Sequence, residues 1–94
     1  MQWKLFADLA EIAGGREISV AAEPGDTVGD ALDALLEAHP DLRDRVLDDG
    51  EVAEHINVLR NGQNVRHGDG MDAPLEAGDE LALFPPVSGG AVGR

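Results

Sequence analysis

Thr27-Val28-Gly29-Asp30-Ala31-Leu32-Asp33-Ala34-Leu35-Leu36-Glu37-Ala38-His39 is the stretch whose pattern decides how the chain folds. Val28, Ala31, Leu32, Leu35 and Leu36 recur at the spacing of a single helical stripe, while Asp30, Asp33 and Glu37 fall elsewhere. Thr27 stands where an N-cap is wanted. Asp30 follows three residues later, where its carboxylate also meets the positive end of the helix dipole. Pro40 stops the helix at His39, because a proline ring disfavours helical backbone in the residue before it. The product is one amphipathic helix with one face to bury.

On either side the period changes from helical to alternating. Trp3, Leu5 and Ala7 alternate with Gln2, Lys4 and Phe6, which predicts a first strand with one buried face and Phe6 on the other. Leu9 to Ala13 suits one helical turn, closed by Gly14-Gly15. Arg16 to Ala21 predicts a second strand with Ile18 and Val20 on one face. After the helix, Asp41 to Leu47 suits another helical turn and Asp48-Asp49-Gly50 a polar loop. Ile56 to Arg60 and Gln63 to Arg66 are strands joined at Asn61-Gly62, a pair suited to the positive φ angles of a type I′ turn. His67 to Gly78 is loop with Leu75 as its anchor, and Glu80 to Phe84 is the last strand, ended by Pro85-Pro86. Two strands, a helix, two short strands and a final strand predict an α+β domain over residues 1–86. It consists of a mixed sheet of four to five strands crossed by one main helix, which with a right-handed crossover resembles a β-grasp. Residues 87–94 carry no core pattern and are expected to form a flexible tail.

Composition narrows the function. The 94 residues include no cysteine, which removes disulfides, thiolate metal sites and cysteine nucleophiles. Seven Lys and Arg against 19 Asp and Glu give a net charge of −12, and Lys4 is the only lysine. Such a surface repels nucleic-acid phosphates and anionic membranes. It is read as a solvated acidic face, as a docking surface for a basic partner, or, the reading preferred, as suited to a high-salt medium where counterions screen the self-repulsion. The melting temperature should therefore rise with salt, and one independent of salt would remove that explanation. No apolar run approaches the roughly 20 residues of a membrane span. The opening Met1-Gln2-Trp3-Lys4-Leu5 enters a strand pattern rather than a signal peptide, so a cytoplasmic location is expected.

No set of side chains reads as an active site. Of the available nucleophiles Ser19, Ser88, Thr27 and Lys4, Ser88 lies in the tail, Thr27 reads as a cap, Lys4 as an ordinary strand lysine, and Ser19 lies in a strand with no histidine beside it. His39, His55 and His67 are scattered, and the acidic pairs are what 19 carboxylates produce by chance. No metal site, bound cofactor or phosphate loop is expected. The tail differs. A strand, a Pro-Pro spacer and Gly89-Gly90 occur in that order. Glycines without Cβ atoms can thread a narrow channel to another protein's active site, where a terminal glycine offers an unhindered carboxylate.

These residues resemble a known family. Leu5-Phe6-Ala7-Asp8-Leu9-Ala10-Glu11, the helix from Thr27 to His39, Val58-Leu59-Arg60-Asn61-Gly62 and above all Leu83-Phe84-Pro85-Pro86-Val87-Ser88-Gly89-Gly90 are similar to small archaeal ubiquitin-like modifiers. They are also similar to the small subunit of molybdopterin synthase. The thiamine sulfur carrier shares the fold and the Gly-Gly end but usually lacks the Phe-Pro-Pro string. The acidic, arginine-biased composition fits a halophilic archaeon.

The resemblance implies a carrier rather than an enzyme. An E1-like adenylating enzyme would use ATP to activate the Gly90 carboxylate as an acyl adenylate. The acyl group would pass to sulfur, giving a thiocarboxylate for molybdopterin or tRNA sulfuration, or to target-protein lysines, giving isopeptide bonds. The partners implied are that enzyme, the molybdopterin synthase large subunit and a desampylase-like metalloprotease. The resemblance also implies partner docking at Phe84, Pro85, Pro86, Val87 and Leu59; the alternative for Phe84 is a core residue at a strand end.

Family members commonly end at Gly-Gly, whereas Ala91-Val92-Gly93-Arg94 follow here and leave Gly90 in a peptide bond. Three readings compete: a precursor cut after Gly90, a protein retired from conjugation, or a cloning remnant. The first is the expectation adopted. A non-covalent binding module with an inert tail is the rival function.

Overall fold

A computed structural model describes residues 1–53, 55–65 and 68–85. The first strand, β1 (Gln2–Leu5), leads into helix α1 (Asp8–Ala13) and strand β2 (Glu17–Ser19), and then into the main helix α2 (Val28–Ala38). A 3₁₀ turn at Pro40–Leu42 runs into the short helix α3 (Arg43–Val46). Strands β3 (Leu47–Asp48), β4 (Glu51–Val52), β5 (Asn57–Arg60) and β6 (Gln63–Asn64) follow, and β7 (Glu80–Phe84) comes last. The main sheet has the order β2-β1-β7-β5-β6, with β3 and β4 forming a separate two-stranded ribbon. β1 pairs in parallel with β7, and the other pairs of the main sheet are antiparallel. The first and last strands of the chain therefore lie side by side at the centre of the sheet.

α2 begins and packs as its sequence dictates. The Asp30 backbone N–H donates to Thr27 Oγ1 at 3.1 Å, and the Thr27 N–H donates to Asp30 Oδ2 at 3.0 Å, a reciprocal cap that satisfies two backbone donors. Val28, Ala31, Leu32, Leu35 and Leu36 are all buried. They face Trp3, Leu5, Val58, Leu81 and Leu83, the inward residues of the three central strands. Trp3 is 0% exposed, and its indole N–H donates to the Ala31 carbonyl at 3.1 Å. The largest side chain of the sheet thus fills the core and also pins the helix by a polar contact.

The alternation in β1 stops two residues before the sequence suggests. Ala7, expected on the strand with Trp3 and Leu5, lies outside it at φ 55° and ψ −133° and caps α1. The cause is the Phe6–Leu9 turn, closed by the Leu9 N–H on the Phe6 carbonyl at 3.2 Å. Of the expected polar loop Asp48-Asp49-Gly50, Asp48 ends β3 opposite Glu51, and Asp49-Gly50 form the turn of the β3–β4 ribbon at φ 59° and 86°. Asn61 and Gly62 take φ 53° and 81°, as a hairpin of that kind requires. β2, β5 and β6 are each shorter than expected. β6 ends at Asn64, since the buried Val65 already lies outside the strand, and Arg66, expected at its end, lies outside the described residues.

Candidate functional site: the outer face of the sheet

The sheet has a second face, away from α2. The pleat that buries Leu81 and Leu83 turns Ala82 and Phe84 outward, and the same alternation places Lys4 of β1 and Asn57 and Leu59 of β5 on that outer face, each half-buried. Register assembles them. Ala82 lies between Lys4 and Leu59, and Phe84 lies opposite Asn57. Phe6, one residue past the end of β1, comes beside Phe84, and the rings stack with centroids 4.0 Å apart and planes 10° from parallel.

Phe6 is 38% exposed and is the exposed large apolar side chain among the described residues. Phe84 and Leu59 are half-buried. The result is an apolar strip of Phe6, Phe84, Ala82 and Leu59. Polar groups border it: Asn64 donates to Asn57 Oδ1 at 3.1 Å, and Lys4 Nζ lies 3.2 Å from Glu80 Oε1. Phe84 is therefore not a residue of the helix-side core. It sits on the outer face, at the point where β7 leaves the sheet. Pro85, half-buried, is the last residue described, and Pro86, Val87, Gly89 and Gly90 lie outside the described residues.

Phe6 is the member of this strip that the sequence reading did not connect to the site. The signal was present. With β1 parallel to β7 and Leu5 opposite Leu83, the next pair outward must be Phe6 and Phe84. Placing the first strand beside the last would have found it.

At the far end of the sheet, Asp79 organises the β5–β6 hairpin. It accepts hydrogen bonds from Arg60 Nε at 2.8 Å, Asn61 Nδ2 at 2.9 Å and the Glu76 backbone N–H at 2.8 Å. Burial alone would raise its pKa. The donors from Asn61, Glu76 and Arg60 outweigh that and hold it below the ordinary carboxylate value. The same contact with Asp79 raises Arg60 despite the opposing effect of burial.

Among the described residues, the candidate nucleophiles and histidines have other places. Thr27 is occupied as the cap, Ser19 is exposed on the edge strand, and His39 closes the end of α2. His55 is exposed. No group of three or more His, Cys, Asp or Glu among the described residues is placed to hold a metal. A groove of about 420 Å³ lies on the helix side, between α2 and the β3–β4 ribbon. Leu32, Val52, Val58, Val65 and Met71 line it, with Asp33 at the rim. No described helix is long and apolar enough to cross a membrane.

A mixed sheet gripped by one main helix, with an apolar outer strip leading into the C-terminal segment, defines a ubiquitin-like β-grasp protein. The chain belongs to the ThiS family, whose model matches residues 3–90. It is 62% identical over 91 residues to Small archaeal modifier protein 1 of Haloferax volcanii, covering 96% of this chain and all of that one. It is 35% identical over 85 residues to the molybdopterin synthase sulfur carrier subunit of Escherichia coli, covering 90% of this chain and 93% of that one. The crystal structure of SAMP1 from Haloferax volcanii superposes with a TM-score of 0.84 at 59% identity, over 95% of this chain and 97% of that one.

Proposed function

We propose that the chain is a ubiquitin-like protein modifier and sulfur carrier, used through the Gly90 carboxylate once the residues after Gly90 are removed. The observation that carries this reading is the continuity of the outer strip with β7. Phe6, Phe84 and Leu59 form an apolar docking face at the root of the segment that leads to Gly89-Gly90. A partner seated on that face holds the tail within reach of its own catalytic site. The names of the relatives support both uses, one being a modifier and another a sulfur carrier subunit. The family match ends at Gly90, which favours a mature species ending there.

The chemistry needs only an acyl group from this chain. A Gly90 carboxylate oxygen attacks the α-phosphorus of ATP held by an E1-like enzyme, and pyrophosphate leaves. Sulfide supplied by the partner then attacks the acyl carbon to give the thiocarboxylate, or a lysine amine of a target attacks it, and in either case AMP leaves. The amine loses its proton as the isopeptide bond forms. Docking residues contribute binding and positioning, and the partner contributes catalysis. In this reading target-protein lysines accept the acyl group, the molybdopterin synthase large subunit is a binding partner for sulfur donation to molybdopterin, and a desampylase-like metalloprotease removes Ala91–Arg94.

Intact-mass spectrometry of the protein from its native cells, with and without the E1-like enzyme, tests the proposal. The expected species ends at Gly90 and carries a thiocarboxylate only when the enzyme is present. Gly-Gly remnants on lysines of other proteins mark the modifier use. Retention of Ala91–Arg94 in every species, with neither adduct formed, overturns it in favour of a non-covalent binding module.

A further inference from the structure

The turn that delivers Phe6 to the outer face is built on a residue its geometry disfavours. The Leu9 N–H to Phe6 carbonyl bond at 3.2 Å closes a four-residue turn, with Ala7 in its second position at φ 55° and ψ −133°. Those angles are close to the roughly +60° and −120° of a type II′ turn, a position dominated by glycine because an L side chain there crowds its own backbone. Packing does not explain the alanine, since Ala7 is exposed. Both flanks are anchored. Leu5 is 1% exposed and its N–H donates to the Arg16 carbonyl at 2.7 Å, while Leu9 is 0% exposed and Asp8 is paired with Arg45. Between these anchors only Phe6 and Ala7 are exposed, and the Phe6 ring rests on Phe84.

We propose that Ala7 is a positioning residue whose restricted backbone holds Phe6 flat on Phe84, so that the aromatic pair is already formed when a partner docks. This rests on the outer face being the docking face. Glycine would relieve the crowding but would also widen the angles open to the chain beside Phe6. The ring would then have to be ordered at the moment of binding, a cost that pre-organisation removes. The strained residue thus exchanges some stability for recognition, as strained positions at binding sites commonly do.

Three full-length chains test this: the wild type, Ala7→Gly, and a synthetic chain with D-alanine in place of Ala7. D-alanine adopts positive φ without crowding and keeps the backbone restricted. Each is read by its melting temperature, by nuclear Overhauser contacts between the Phe6 and Phe84 rings, and by calorimetric Kd for the E1-like adenylating enzyme of the same organism. Ala7→Gly should melt a few degrees higher, lose the ring contacts, and bind about 2- to 10-fold more weakly. The D-alanine chain should also melt higher, yet keep the contacts and the wild-type Kd. The proposal is overturned if Ala7→Gly melts lower, keeps the ring contacts or keeps the wild-type Kd, or if the D-alanine chain loses affinity along with it. If the wild type does not bind the enzyme, the docking reading fails instead, and the ring contacts still decide whether Ala7 holds Phe6.

Discussion

The two faces of the sheet are made by the same strands, residue by alternate residue, and do different work. On the helix side Trp3, Leu5, Val58, Leu81 and Leu83 are 3% exposed or less, closed over by the stripe of α2. On the outer side Phe84 and Leu59 stay half-buried and Phe6 exposed, with no helix above them among the described residues. Neighbours about 3.3 Å apart along a strand are thus divided between holding the fold and presenting a surface. A small domain can separate stability from recognition in this way without a second core. Inner substitutions should therefore cost folding and outer ones should cost binding. The largest effect belongs to the inner face. Trp3→Ala should lose about 3–5 kcal/mol of stability, out of roughly 5–15 kcal/mol for a domain. Urea denaturation should show most of the transition gone, and a loss below about 1 kcal/mol would break the comparison.

Phe84→Ala is the matching substitution on the outer face. It removes an aromatic pair, for which a stability loss of about 0.5–1.5 kcal/mol is expected. Binding to the adenylating enzyme should suffer more, by about 2 kcal/mol or thirtyfold in Kd, as for a central apolar anchor. Leu59→Ala should follow with a smaller binding loss. A Phe84→Ala chain that unfolds, or that binds normally, would place Phe84 with the core after all.

Thr27→Ala sharpens the comparison from the helix side. Both bonds of the reciprocal cap with Asp30 depend on this end of α2, and losing the hydroxyl should cost about 1 kcal/mol. Because α2 touches only the inner face, Kd for the docking partner should not change. Equal losses in stability and binding would mean that the outer face is not independent of the helix.

The inner face was the legible one. The stripe of α2, the Thr27 cap and the alternation of Trp3 with Leu5 each need only a local period, and a local period is what a sequence displays. The outer face depends on which strands lie side by side. Phe84 and Leu59 reached the site through resemblance, whereas Phe6 waited for the parallel pairing of β1 with β7, a contact between the two ends of the sheet region. The misreadings were turns. Ala7 continued an alternating pattern and carried no turn signal, since the closed Phe6–Leu9 turn overrides a residue preference. Asp49-Gly50 did carry the hairpin signal, but two-residue strands on either side were too short to show a pattern. The Gly89-Gly90 end lies outside the described residues, so its support remains the order of residues and the family match ending at Gly90.

Asp79 lies at the end of the sheet and ties Arg60, Asn61 and Glu76 together, so its titration probes the edge without touching the outer strip. Its folded pKa is below the ordinary value of 3.8, despite burial, because three donors favour the charged form. The unfolded chain therefore takes up the proton first as pH falls. The carboxylate's contribution is complete above 3.8 and disappears as pH drops from there through the folded pKa. Asp79→Asn should lower stability at neutral pH and flatten the acid limb of the stability curve over that interval. Melting temperatures measured from about pH 2 to 6 at constant high salt would show the change in slope, with salt suppressing the general repulsion among the carboxylates. Parallel curves for the two chains would mean that the three donors stabilise the charged and neutral forms of Asp79 alike. A smaller slope with unchanged partner binding at neutral pH would extend the division between the faces to the rim of the sheet.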